Sequence, residues 1–131
     1  MRVKKKVLLL GPAYPYRGGI ADTQNYLAQN LSRLGHEVLV YTFKYQYPKL
    51  LFPGKTQYSS VPMPKGIDIK RKIHSINPIN WTKISNEINH YDPDIVLFRY
   101  WTPFLAPCWI WIAKRLSSKI KKIALVDNWI P

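Results

Sequence analysis

Apolar positions in this 131-residue chain come in short unbroken runs separated by amphipathic stretches. Val7–Leu10 is such a run, stopped by Gly11-Pro12. That is the pattern of a central parallel strand buried on both faces. Ile20, Leu27, Leu31 and Leu34 then recur at helical spacing, so Ile20–Leu34 is predicted as a helix with Gly35 as its left-handed stop. Glu37–Thr42 is a second strand, and the three elements make one right-handed crossover. Ile67, Ile69, Arg71 and Ile73 alternate with polar neighbours and predict a strand over Ile67–Ile73. Asn77-Pro78 supplies a cap and a first-turn proline for the next helix. Its buried stripe is Trp81, Ile84, Ile88 and Tyr91, and Asp92-Pro93 ends it. Ile95–Phe98 is another buried strand. Thr102-Pro103 opens a third helix reaching Leu116, which Pro107 shortens or bends. Ile123–Val126 is the last strand. Strands that alternate with helices imply an α/β domain with a mostly parallel sheet.

One stretch breaks the pattern. Phe43–Gly66 holds four prolines and no sustained periodicity. Loops of this length in a compact domain are functional or disordered. Tyr45, Tyr47, Leu50, Leu51 and Phe52, with Lys44, Lys49 and Lys55 among them, make this one too apolar for a plain linker, so Tyr47, Lys49, Phe52 and Lys55 are expected to face an acceptor or a membrane.

In open α/β sheets, ligands bind where loops leave the carboxyl ends of the strands. The loop Gly11–Ile20 is therefore the first candidate, with Arg17, Gly18 and Gly19 just ahead of a helix N-terminus. Glycines there let backbone N–H groups approach a ligand, and the helix end favours an anion. Neither GxGxxG nor a Gly-Lys-Ser/Thr ending is present, so a tight turn that needs glycine stands beside the anion site as an equal reading. Arg99 and Trp101 follow the strand at Ile95, and Asp127, Asn128 and Trp129 follow the last one. An arginine, a carboxylate, an amide and tryptophans at one edge suit a sugar or phosphate. The plainer alternative is that Arg99 pairs with an acid and the tryptophans pack.

Other chemistry is thin. His36, His74 and His90 have no ligand spacing, so no metal site is indicated. Cys108 sits in an apolar helix and reads as core. No serine lies in a nucleophile-elbow context, and the seven carboxylates offer no acid/base pair. Trp109 and Trp111 point to different sides of one helix, so at least one is exposed or meets a partner.

Charge narrows the partners. Twenty Lys and Arg against seven Asp and Glu give +13, which attracts anionic membrane, nucleic acid or phosphorylated ligands, or simply solubilises the surface. A single cysteine excludes an internal disulfide and suits a reducing compartment. The apolar part of the basic start is too short for a signal peptide, and the patch around Phe104–Ala113 is too short to span a bilayer.

The order Gly-Pro…Pro-x-Arg-Gly-Gly-Ile-Ala, helix, Leu-Gly-His-Glu-Val resembles the start of retaining glycosyltransferases with two Rossmann-like domains, grouped as family four. Tyr47-Pro-Lys-Leu-Leu-Phe-Pro-Gly-Lys-Thr, Ser75-Ile-Asn-Pro-Ile-Asn-Trp, Asp92-Pro-Asp-Ile-Val, Phe98-Arg-Tyr-Trp-Thr-Pro-Phe and Asp127-Asn-Trp-Ile-Pro look like one bacterial subgroup. The resemblance implies a single Rossmann-like, three-layer, acceptor-binding domain over residues 1–131, the N-terminal half of the two-domain fold. It places Gly18 and Gly19, with Arg17 beside them, against the donor's diphosphate and sugar. The nucleotide-sugar-binding domain, and a histidine expected just after Pro131, lie outside these residues. It further implies a nucleotide-sugar as substrate, a saccharide or lipid-linked acceptor, no metal and no cofactor. The protein would be cytoplasmic, peripheral at the inner face of the membrane. The isolated half is expected to be inactive.

Two other classes compete. A nucleic-acid-binding module is suggested by the charge, but no single recognition helix carries the basic residues. A stand-alone mononucleotide-binding domain of flavodoxin type lacks its phosphate fingerprint.

Overall fold

The computed structural model describes residues 3–16, 19–45 and 66–127. Its strands are β1 (Lys6–Leu10), β2 (Glu37–Tyr45), β3 (Asp68–His74), β4 (Ile95–Tyr100) and β5 (Lys121–Val126). The helices are α1 (Gly19–Arg33), α2 (Pro78–Tyr91) and α3 (Ala106–Arg115). All four strand pairings are parallel, in the order β3-β2-β1-β4-β5. Reversal of the order between β1 and β4 puts the topological switch point at the carboxyl ends of those two strands.

Right-handed crossovers send α1 to one face and α2 with α3 to the other. The packing agrees. Val7, Leu9, Ala28 and Val40 form one cluster. Leu8, Leu10, Phe43, Ile84, Ile88, Val96, Phe98 and Ile112 belong to the larger cluster opposite. Leu8, Leu9 and Leu10 are completely buried, as an unbroken apolar run in a central strand requires.

Several expected elements move. The buried stripe of α1 is Ala21, Gln24 and Ala28, with Leu27 and Leu31 partly buried beside it, while Leu34 lies outside the helix and is exposed. Small residues face the sheet because the helix packs closely there. Gly35 does take the left-handed conformation (φ 95°), and the His36 amide donates back to the Leu31 carbonyl at 3.1 Å. β2 runs on to Tyr45 and so takes Phe43 out of the irregular stretch; Phe43 is fully buried. In β3 the alternation fails halfway. Register shifts follow Thr42 and Phe43 on β2, so Ile69 joins one core cluster and Ile73 the other.

The third helix is split in two. Thr102 caps a 3-10 turn over Pro103–Leu105, and α3 starts again at Ala106 with Pro107 in its first turn. Proline there removes a donor the first turn does not need. Trp109 is buried, whereas Trp111 is half-exposed, packs edge-on to Trp81 at 5.9 Å and donates to Thr82 Oγ1 at 3.1 Å. Buried Cys108 has its thiol pushed up by desolvation alone. We expect a thiol reagent at pH 8 to leave it unmodified in the native protein and to label it fully once urea unfolds the chain; rapid native labelling would contradict this packing.

Asn77 caps α2 as its sequence implies, its Oδ1 accepting from the amides of Ile79 (3.0 Å) and Asn80 (3.5 Å). Asn77→Ala is expected to lower stability by about 1 kcal/mol, measurable by urea denaturation. No described helix is long and apolar enough to cross a membrane.

Candidate functional site

At the switch point the chain leaves β1 through Gly11, whose amide donates to the Tyr41 carbonyl at 3.2 Å. The Ala13 amide donates to Thr42 Oγ1 at 3.0 Å, and the Tyr14 amide to Asn25 Oδ1 at 3.2 Å. The loop is thus tied on one side to β2 and on the other to α1. Tyr16 turns inward, buried against Phe43 at 6.5 Å, with Arg71 donating to its hydroxyl at 3.3 Å.

Across the switch point, β4 presents Arg99, whose side chain is only 3% exposed. Its guanidinium forks onto the Asp127 carboxylate, with Nε to Oδ2 at 3.0 Å and Nη2 to Oδ1 at 2.6 Å. It also donates to Gln24 Oε1 at 3.2 Å and to Thr23 Oγ1 at 2.8 Å. Trp109 Nε1 donates to the Arg99 carbonyl at 2.9 Å. Arg99 therefore joins the end of β4, the first turns of α1 and the residue after β5. Gly11 lies so close that an added Cβ would sit 2.8 Å from Arg99 Cβ. Gln24 is fully buried, and its Nε2 has no hydrogen-bond partner among the described residues.

Of the residues picked from sequence, Gly19, Arg99 and Asp127 are brought to this edge: Gly19 opens α1, and Arg99 and Asp127 hold each other. Trp101 stands at the same edge, half-buried and edge-on to Phe43 at 6.2 Å. Arg17, Gly18, Asn128, Tyr47, Lys49, Phe52 and Lys55, and Trp129 with them, lie outside the described residues. Thr23, Gln24 and Thr42 were not foreseen. The signal for Gln24 was available, since it is the polar member of an Ala21-Gln24-Ala28 stripe at helical spacing.

A groove of about 1200 Å³ lies elsewhere. It runs beside α2 over β2 and β3, with Leu39, Tyr41 and Ile79 among its apolar walls and Glu37, Asp68 and Glu87 among its charges. The Tyr91 hydroxyl there donates to Glu37 at 2.8 Å and is pushed up, first by burial and then by that carboxylate. It lies toward the starts of β2 and β3, away from the switch point. Among the described residues, no group of three or more His, Cys, Asp or Glu could hold a metal ion.

A parallel sheet with the order 3-2-1-4-5, its switch point between β1 and β4, defines the Rossmann-like class. Residues 17–126 match the model of Glycosyltransferase Family 4, and the chain belongs to that family. Among solved structures it is similar to an alpha-glucosyltransferase in complex with UDP and a 13-mer DNA containing a central A:G mismatch, with a TM-score of 0.58 and 13% identity. It is likewise similar to an alpha-glucosyltransferase in complex with UDP and a 13-mer DNA containing a HMU base, with a TM-score of 0.55 and 15% identity. Both alignments cover 92% of this chain and 30% of the other. At such identities the likeness concerns the fold. No curated protein matches the chain by sequence.

Proposed function

We propose that these residues form the acceptor-binding half of a glycosyltransferase that moves a sugar from a nucleotide-sugar donor to a saccharide or lipid-linked acceptor. The observation that carries the reading is the switch point between β1 and β4, where the Gly11 turn meets Arg99, inside a family match over residues 17–126. In the proposal, the loop from Gly11 and the N-terminus of α1 lie against the donor's diphosphate, where the helix dipole favours an anion. Arg17, Gly18, Gly19, Trp101 and Asn128 complete the donor and acceptor contacts. Arg99 and Asp127 hold the edge in shape. A nucleotide-sugar-binding domain supplies the other wall. Its need is supported by β5, which among the described residues pairs only with β4 and exposes Leu125 and Val126, whereas parallel strands are normally covered on both faces. The same reading places the protein at the inner face of the membrane, with no metal or cofactor in the reaction.

The test has two parts. Backbone amide shifts are followed while the chain is titrated with a panel of nucleotide-sugars. Shifts confined to Gly11, Gly19, Thr23 and Gln24 are the expected result; shifts only around the α2 groove, or none with any donor, overturn the site. The chain is also incubated with labelled donors and a lipid and glycan acceptor panel. Negligible transfer is expected, and robust transfer would show that the second domain is not needed.

A further inference from the structure

The seven carboxylates of this chain are set apart from one corner of the sheet. Glu37 and Asp68 open β2 and β3, and Asp92 and Asp94 lie between α2 and β4, so all four stand at the edge where strands begin. Glu87, in the later half of α2, pairs with Lys72 at 3.7 Å, and Asp127 is held by Arg99. Asp22 lies in the first turn of α1, beside that helix's own positive end. The corner where β2 and β3 finish carries cations instead. Thr42 pairs with Arg71 and Tyr45 with His74 across the two strands, and Lys44 stands between these pairs. Lys44 and Arg71 are both exposed. Arg71 is fixed in place: its Nε donates to the Phe43 carbonyl at 3.2 Å, its Nη2 donates to the Tyr16 hydroxyl at 3.3 Å, and the guanidinium lies over the Tyr16 ring at 5.4 Å. Both acceptors are neutral, so these bonds set the position of the charge without cancelling it. Beside it the half-buried rings of Tyr45 and His74 stack at 4.5 Å and 13°. Burial first, and then nearby Lys44, holds the His74 imidazole below its ordinary range, so the ring is mostly neutral at pH 7. Across buried Phe43, half-buried Trp101 bounds the corner.

Fixed cations beside aromatic faces fit a ligand that has both an anionic group and a flat C–H face. A guanidinium bonds carboxylate and phosphate oxygens more strongly than neutral ones, and a pyranose ring can lay its C–H face on an aromatic ring. We propose that Lys44, Arg71, Tyr45 and His74 form the acceptor's subsite, and that this subsite selects a sugar bearing an anionic group, either a carboxylate or a phosphate. The assignment rests on the glycosyltransferase reading above and narrows its acceptor. The position suits the role. Tyr16, which Arg71 holds, belongs to the loop leaving β1, and that loop leads to α1, where the reading above puts the donor's diphosphate. An anionic sugar at the corner lies beside the donor without competing for the helix end. A neutral sugar would cover the two cations without answering their charge, so the corner discriminates between acceptors by charge.

The test titrates the chain with glucose, glucuronate, glucose 6-phosphate and inorganic phosphate while amide and indole shifts are followed. No nucleotide-sugar is present, so the outcome is separate from that of the donor titration. Glucuronate or glucose 6-phosphate should bind at least about tenfold more tightly than glucose at low salt, and should move the amides of Lys44, Tyr45, Arg71 and His74. Preference for glucuronate identifies a carboxylate on the acceptor, and preference for glucose 6-phosphate identifies a phosphate. R71Q should weaken the preferred anionic sugar about tenfold and leave glucose unchanged. K44Q alters an exposed side chain, so it tests the corner without depending on the Arg71 bonds, and should weaken the same sugar about threefold. The control K119Q, just before β5 at the other end of the sheet, should change nothing. Circular dichroism confirms that the variants fold. Glucose binding as tightly as both anionic sugars would overturn the proposal. So would inorganic phosphate binding as tightly as the preferred sugar, equal losses in K44Q and K119Q, or no shift at the corner with any probe. If the donor titration succeeds while this one fails, the glycosyltransferase reading stands and the anionic acceptor falls.

Discussion

Replacing Arg99 with methionine is expected to cost the fold about 3–5 kcal/mol, read as a lowered urea midpoint at an unchanged slope. The guanidinium is 3% exposed, and it satisfies four acceptors at once: both Asp127 oxygens, Gln24 Oε1 and Thr23 Oγ1. Methionine fills most of the volume but donates nothing. The Asp127 carboxylate, 19% exposed, is left with little water, and fully buried Gln24 loses the donor to its Oε1. Asp127→Ala should cost a similar amount for the opposite reason, since it strands a buried cation. The double variant should then cost clearly less than the sum of the two. Additive losses, or single losses under 1 kcal/mol, would mean that the pair does not hold the edge together. The expected penalty is no measure of what the pair contributes against an apolar core, because burying both charges is itself costly.

That cluster shows where sequence reading stops. The element order and the parallel sheet were legible because the strands show as apolar runs or, in β3, as alternation, and the helix ends have their own chemistry, as at Asn77 and Gly35. The meeting of residues near Gly11, 99 and 127 at one edge was legible too, since it follows from strand direction alone. What Arg99 does there was not. Both readings, a ligand contact and an ion pair with an acid, use the same residue types, and only the positions of Thr23 and Gln24 across the switch point choose between them. In the structure the Arg99 guanidinium donates to Asp127, Gln24 and Thr23. The bulge between β2 and β3 was equally hidden, because regular alternation from Ile67 to Ile73 cannot announce an extra residue set by the partner strand.

Gly11→Ala is expected to cost about 4 kcal/mol, although it adds a single methyl group. Two separate effects meet at this position. The backbone has φ +151°, which a side chain rarely adopts, and the new Cβ would lie 2.8 Å from Arg99 Cβ and 3.0 Å from its Cγ. The near end of the arginine cannot swing aside as its far end could, and the Gly11 amide is held by the Tyr41 carbonyl. Gly35 separates the two effects. It also has a left-handed φ, +95°, but nothing lies within 4 Å of its added Cβ, so Gly35→Ala should cost only about 1 kcal/mol. The excess at Gly11 measures the collision with Arg99. It should appear together with a shift of the Thr23 and Gln24 amides, because the guanidinium that is pushed away is the one that bonds the side-chain oxygens of these two residues. Equal costs at the two glycines, with the α1 amides unmoved, would mean that the loop after β1 yields to the methyl group and that Arg99 does not define the shape of the crevice.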